Sequence, residues 1–319
     1  MLRLWFFGSG EIAVPTLQAV TRAHTLLGVV TQPDRPQGRG RQTTATPVKA
    51  AAQALHLLVL EPPSPRDPTL LETLRRSAPD LVVVLAYGGI LPEALLAIPT
   101  LGALNVHPSW LPKYRGATPI PSAIMAGDHE TGITLFRMDI QVDHGPILLQ
   151  ERVTIAPEET TATLTDRVSR LAPDLLLRGL AQLERGQPSW TPQEDREATT
   201  ARRLSKADGW VDWSLPAEQI ARRVRALTPW PGSMTSWQGR AIKLTRVAVA
   251  DREARSSPGT PPGTLLRTGP DALLIQTGHG ILGLHELQLA GGRPLTIAEF
   301  LRGHPMRAGE LLGGTLEKR

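Results

Sequence analysis

Cysteine is absent from this 319-residue chain. The gap excludes thiolate nucleophiles, Cys-ligated zinc, iron–sulfur clusters and disulfides, and it fits a reducing compartment. Long apolar runs are also missing. The longest, from Leu81 to Leu91, falls well short of a membrane span. The N-terminal MLRLWFFGSGEIAVP meets Gly8 too early to serve as a signal peptide. A cytoplasmic protein with no membrane contact is the resulting expectation. Lysine is scarce, at five of 35 basic residues, and no internal repeat is visible.

What is present is ordinary for a globular protein. Hydrophobic residues make up 41% and charged residues 20%, in a length that suits two domains or one large one. The charge is uneven: residues 196–319 hold 18 Lys+Arg against 11 Asp+Glu, whereas residues 1–195 hold 17 against 19. A basic second half points to a polyanionic partner. A solvated surface in an arginine-favouring composition accounts for the same counts, and charge alone does not choose.

Up to about residue 186, short apolar strands alternate with helical patterns, the signature of an α/β sheet. Strands are predicted from Leu2 to Phe7, Leu26 to Thr31, Asp80 to Ala86 and Ala103 to His107, with a pair from Gly132 to Met138 and Pro146 to Val153. Thr46-Pro47 and Asp67-Pro68 read as helix N-caps followed by a proline at the first helical position. A long amphipathic helix runs from Thr160 to Gly186. Residues 187–206 turn polar and proline-containing and read as a linker. Residues 207–319 then place short strands between Gly and Pro, the spacing of a small, OB-like β-barrel. A helix from Ala217 to Leu227 precedes it, with Ile220, Val224 and Leu227 inward and Arg222, Arg223 and Arg225 outward.

Chemistry concentrates in Asn105-Val-His107, followed by Asp143 in the connection between two strands. Alternation puts Asn105 and His107 on one side of a strand's carboxyl end, where open α/β sheets bind ligands. An amide can hold a developing oxyanion, an imidazole can handle a proton and a carboxylate can orient that imidazole. Together they suit acyl transfer to an amine without a covalent intermediate. Taken alone, a histidine at a strand end is more often structural.

At these segments the chain resembles the methionyl-tRNA formyltransferases. That family shows Asn-Val-His, then Ser-Leu-Leu-Pro, Arg-Gly-Ala-x-Pro-Ile, Gly-Asp-x-x-Thr-Gly and Met-Asp-x-x-x-Asp-x-Gly. The matching text here is Ser109-Trp-Leu-Pro112, Arg115-Gly-Ala-Thr-Pro-Ile120, Gly127-Asp-His-Glu-Thr-Gly132 and Met138-Asp-Ile-Gln-Val-Asp-His-Gly145. The resemblance extends from Phe6 to about Gly313. It implies a Rossmann-like formyltransferase domain over 1–186 and a tRNA-binding β-barrel over 207–319. It further implies 10-formyltetrahydrofolate as donor, initiator methionyl-tRNA as acceptor, no metal, and a monomer.

The same resemblance implies roles. Asn105 would hydrogen-bond the formyl oxygen, His107 would help move the amine proton, and Asp143 would orient the ring. Ser109, Trp110, Leu111 and Pro112, with Tyr87, Gly88 and Ile90 of the Ala86-Tyr-Gly-Gly-Ile-Leu-Pro92 loop, would line the folate site. The TQPDRPQGRGR segment, with Arg35, Arg39 and Arg41, would be the tRNA-binding loop, Arg39 entering the acceptor stem; Arg222 and Arg223, from the basic helix, are further candidates for RNA contact. Departures from the family text are Pro108, Trp110, Pro121 and His144; the last stands where it could compete for Asp143.

Two alternatives stand beside this reading, the first implied by the same resemblance and the second read from the residues. A folate-dependent formyltransferase acting on a sugar-nucleotide or purine-precursor amine would use the same three groups. Gly8-Ser-Gly10-Glu-Ile-Ala13 fits G-x-G-x-x-A after a strand, with Asp34 beyond it, and taken alone says NAD-binding oxidoreductase. Pro15 near the helix start weakens that reading.

Overall fold

The structure, a computed structural model, describes residues 1–37, 42–254 and 259–313. They form two compact units. The first holds a seven-stranded sheet, in the order Ile147–Thr154, Glu130–Arg137, Ala103–His107, Leu81–Leu85, Arg3–Gly8, Thr25–Val30, Val59–Leu60. The last five of these are parallel neighbours. The first two are antiparallel additions beyond Ala103–His107.

Helices on both faces explain why the central strands are apolar throughout. Every residue of Leu81–Leu85 is buried, as are five of the six in Arg3–Gly8. The predicted caps form: the Thr46 hydroxyl accepts from the Lys49 N–H, and the Asp67 carboxylate accepts from the Thr69 and Leu70 N–H groups. Strand order reverses direction at Arg3–Gly8, with Thr25–Val30 on one side and Leu81–Leu85 on the other. Such a switch point leaves a crevice beyond the carboxyl ends of the strands, and the Gly8–Gly10, Ala86–Pro92 and Pro108–Gly116 segments all leave from those ends.

The unit does not stop at the end of helix Thr161–Glu184. It runs on to Arg202. Thr191 bridges to Ile147, and the short strand Thr200–Ala201 pairs in parallel with Arg115–Gly116.

The second unit gathers Pro121–Asp128, Ala156–Ala162 and Arg203–Arg319. Its antiparallel sheet runs Ser233–Trp237, Arg240–Asp251, Ile281–Leu289, Leu273–Gln276, Leu265–Thr268, with Leu295–Thr296 also paired to Ile281–Leu289. The expected barrel thus takes the form of a six-stranded sheet in which register shifts interrupt the long Arg240–Asp251 strand. Helices Ala217–Ala226 and Ile297–Gly303 bring Ile220, Val224, Ile297 and Phe300 to a core shared with Leu244 and Leu284. Ser233–Trp237 has no apolar alternation to announce it, since it buries Ser233, Thr235 and Ser236. Thr235 is there to accept a hydrogen bond from the Trp213 indole at 3.0 Å. Among the described residues no helix is long and apolar enough to cross a membrane.

Candidate active site

Strand Ala103–His107 ends the parallel part of the sheet and presents Asn105 and His107 on one face. The hairpin between Glu130–Arg137 and Ile147–Thr154 carries Asp143 back to that face. The Asn105 Nδ2 lies 3.5 Å from Asp143 Oδ1, and His107 Nδ1 lies 3.6 Å from Asp143 Oδ2. His107 is buried and Asn105 only partly so. At these separations the carboxylate supplies charge more than a strong hydrogen bond.

Main-chain groups make the shorter contacts. His107 Nε2 is 3.0 Å from the Tyr114 carbonyl oxygen. A carbonyl only accepts, so Nε2 bears the proton and Nδ1 is left to face Asp143. The Tyr114 carbonyl therefore sets the tautomer, and Asp143 faces the ring from its Nδ1 side. Asp143 Oδ2 in turn accepts the Gly116 N–H at 2.8 Å. Three residues around the site have positive φ without being glycine: Ala86 at 50°, Tyr114 at 63° and Asp143 at 50°. Backbone strain of this kind, about 1 kcal/mol or more per residue, persists where surrounding contacts over-determine it, as at functional sites.

Two further residues join the site that the sequence did not single out. Gln193 Nε2 donates to the carbonyls of Asp143, at 3.0 Å, and Gly145, at 2.9 Å. The Thr199 hydroxyl accepts the Tyr114 N–H at 2.9 Å. His144 does not compete for Asp143: its Nδ1 is 2.7 Å from Asp139 Oδ2 and its Nε2 is 3.7 Å from Asp195. Asp195 also accepts from Arg115 at 2.9 Å, and that bond is the chief reason its carboxyl sits below the ordinary range.

The residues expected to line a folate pocket divide in two. Ser109 and Leu111 are buried, and both are held by Thr134: its hydroxyl donates to the Ser109 carbonyl at 2.7 Å and accepts the Leu111 N–H at 3.1 Å. Trp110 finds room because residue 132 is glycine, where a Cβ would come within 2.8 Å of the indole. The Arg152 guanidinium stacks on that ring at 4.3 Å. Pro112 is half-buried, while Gly88 and Ile90 are exposed.

Tyr87 is different. Its ring packs edge-on to Phe7 in the apolar core, and burial pushes its hydroxyl up to about 12. That hydroxyl has no hydrogen-bond partner among the described residues. Tyr87→Phe is expected to leave stability unchanged or raise it by about 1 kcal/mol, because it deletes a buried unsatisfied group. A urea melt checks this; a clear loss of stability would mean the hydroxyl is bonded in the folded protein.

Of the arginines expected to meet RNA, Arg39 and Arg41 lie outside the described residues. Arg35 stands on strand Arg35–Gln37, paired with Gln42–Thr44. Arg222 donates to the Ala126 carbonyl at 3.1 Å and Arg223 to the Asp208 carbonyl at 2.9 Å, within the second unit. Both are therefore half-buried and partly engaged, where the helical pattern alone puts them outward.

The Gly8–Gly10 turn is spent internally. The N–H groups of Ser9 and Gly10 both donate to the Ala86 carbonyl, at 3.1 and 3.3 Å, so they do not cradle a pyrophosphate. Asp34 is paired with Lys49 at 2.6 Å, and Lys49 reaches Glu61 at 2.8 Å. Among the described residues no three His, Asp or Glu side chains converge as a metal would require.

Comparison with known proteins agrees over nearly the whole chain. Residues 2–180 match the family model described as formyl transferase, and residues 203–305 match formyl transferase, C-terminal domain. A methionyl-tRNA formyltransferase of Chloroflexus aurantiacus is 46% identical, covering 95% of this chain and 97% of its own length. One from Syntrophus aciditrophicus is 42% identical, covering 98% and 99%. Among solved structures, an N-formyltransferase from Helicobacter canadensis, in complex with folinic acid and dTDP-3-aminofucose, is similar in fold. Its TM-score is 0.67 at 17% identity, over 89% of this chain and 99% of that one. HypX from Aquifex aeolicus, in complex with tetrahydrofolic acid, gives 0.62 at 18% identity, over 100% and 52%.

Proposed function

The chain belongs to the methionyl-tRNA formyltransferase family, and from that premise we infer that it transfers a formyl group from 10-formyltetrahydrofolate to the α-amine of methionyl initiator tRNA. The observation that carries the chemistry is the approach of Asn105 and His107 to Asp143, at 3.5 and 3.6 Å. The amine nitrogen forms a bond to the formyl carbon, whose oxygen gains the charge. Asn105 donates an N–H to that oxyanion, a preorganised contact that strengthens as charge develops. When the carbonyl re-forms, the bond from carbon to folate N10 breaks, and N10 takes the proton that the amine gives up. His107 carries that proton in transit. Its Nε2 is committed to Tyr114, so Nδ1 is the nitrogen that gains and loses it, with Asp143 as counter-charge. No side chain needs to be acylated.

Gly88, whose φ of 82° leaves open space where a Cβ would stand, together with the Ser109–Pro112 segment, suits a flat ligand at the strand ends. Arg35, Arg39, Arg41, Arg222 and Arg223 are the candidates for RNA contact, in keeping with the basic charge of residues 196–319. A sugar-nucleotide acceptor is the second reading, favoured only by fold likeness at 17% identity. The relatives above 40% identity that cover nearly the whole chain favour tRNA.

The test is to supply the protein with 10-formyltetrahydrofolate and either charged initiator tRNA or an amino-sugar nucleotide. N-formylmethionyl-tRNA is the expected product, and formylation of the sugar alone would overturn the reading. At subsaturating tRNA the rate is expected to fall about tenfold or more between 50 and 200 mM salt, because released counterions drive RNA binding. A salt-independent rate would count against a phosphate-contacting acceptor.

A further inference from the structure

The family matches end at residue 180 and resume at residue 203, leaving 181–202 outside both. Those residues are polar, carry prolines and have the composition of a connector. Their contacts are not those of a connector. The main-chain groups that meet the His107 ring and the Asp143 carboxylate, the Tyr114 carbonyl and the Gly116 N–H, lie on a segment held by this stretch.

Asp143 has a left-handed backbone, and its own carbonyl and that of Gly145 both accept from the single Gln193 amide nitrogen. Gln193 is fixed in turn, because its Oε1 accepts Arg115 Nε at 3.0 Å. The Tyr114 carbonyl that sets the His107 tautomer belongs to a residue whose N–H is bound by the Thr199 hydroxyl, and the next N–H, of Arg115, donates to the Thr199 carbonyl at 2.9 Å. The Gly116 N–H that binds Asp143 Oδ2 is on a strand paired with Thr200–Ala201. Residue 116 must be glycine there: its φ is 118°, and a Cβ would meet the Ala201 carbonyl oxygen at 2.6 Å.

Resting on the formyl-transfer reading above, we propose that residues 193–201 are a positioning strap for the catalytic set, with Gln193 its principal residue. Gln193 acts through Asp143. It holds the carboxylate loop against Asn105 and His107, so that the counter-charge is in place when His107 takes the proton. An Asp143 carboxylate displaced by about 1 Å loses on the order of 10²-fold in rate without loss of substrate binding.

Gln193→Glu tests this role, since the carboxylate keeps an acceptor for Arg115 but cannot donate to the two carbonyls, which it also repels. The expected result, with the wild-type protein as reference, is a kcat lower by about 10- to 100-fold. KM for both donor and tRNA should stay within about twofold, and the melting temperature within a few degrees. A kcat within twofold of wild type, or a loss confined to KM, would overturn the strap. Were Gln193→Glu not to fold, Gln193→Met, which also lacks the donor but brings no charge, would be read by the same criteria. An inactive wild-type protein would instead refute the formyl-transfer reading itself, so the two failures are distinguishable.

Discussion

Asn105→Ala is expected to lower kcat by about 10²–10³-fold while the protein stays folded and still binds tRNA and folate. The amide is a neutral donor, and it lies partly exposed on the strand face that carries His107, whose own N–H is committed to Tyr114. Its Nδ2 makes only a long, 3.5 Å contact with Asp143, so little is lost from the folded state when it goes. An oxyanion hole donor acts mainly on the transition state, so the loss belongs in kcat, with KM nearly unchanged. Single-turnover rates with saturating donor measure this directly. Wild-type activity in the variant would mean that the formyl oxygen is stabilised by some other donor.

The second large effect comes from a residue with no chemistry of its own. Gly145→Ala would place a Cβ 1.8 Å from the Arg137 carbonyl oxygen. That oxygen is backbone, in the hairpin closed by the Arg137 N–H to the Pro146 carbonyl at 2.9 Å, so it cannot swing aside like a side chain. Relief requires the hairpin to shift by more than 1 Å, and Asp143 is two residues away. Stability is expected to fall by about 2–3 kcal/mol. Activity of the molecules that remain folded is expected to fall by a further factor of about 10², since the counter-charge moves relative to His107. A thermal melt and a rate measured well below the melting temperature separate the two terms. A fully active, fully stable Gly145→Ala would show that the hairpin yields without moving Asp143.

Much of this site could be read from residue order, for physical reasons particular to each part. Ala103–His107 is a short strand, and because side chains alternate along any strand, positions 105 and 107 share a face whatever their burial. The prolines at 47 and 68 follow capping side chains, so those helix starts were legible. Tyr114, Gly116 and Thr199 were not. They act through main-chain N–H and C=O groups, which every residue possesses, and through pairing of segments more than 80 positions apart. Gln193 sits among polar residues and prolines, and such text suits an exposed connector just as well until the hydrogen bonds are seen. Tyr87 is the converse case: an aromatic beside two glycines suggests a ligand wall, yet its ring packs in the apolar core while Gly88 and Ile90 of the same loop are exposed. The roles of the three central groups drew on family resemblance as well as on chemistry, since a histidine at the end of a strand is by itself more often structural.

The central claim is that an amide, an imidazole and a carboxylate assist direct attack of an amine on one formyl carbon. The most direct measurement is a rapid-quench single turnover with donor labelled at the formyl carbon, excess enzyme and methionyl initiator tRNA. The account predicts that label leaves the folate and appears on the methionyl nitrogen at one rate, with none bound to protein at any time. Label trapped covalently on the protein before formylmethionyl-tRNA appears would contradict it.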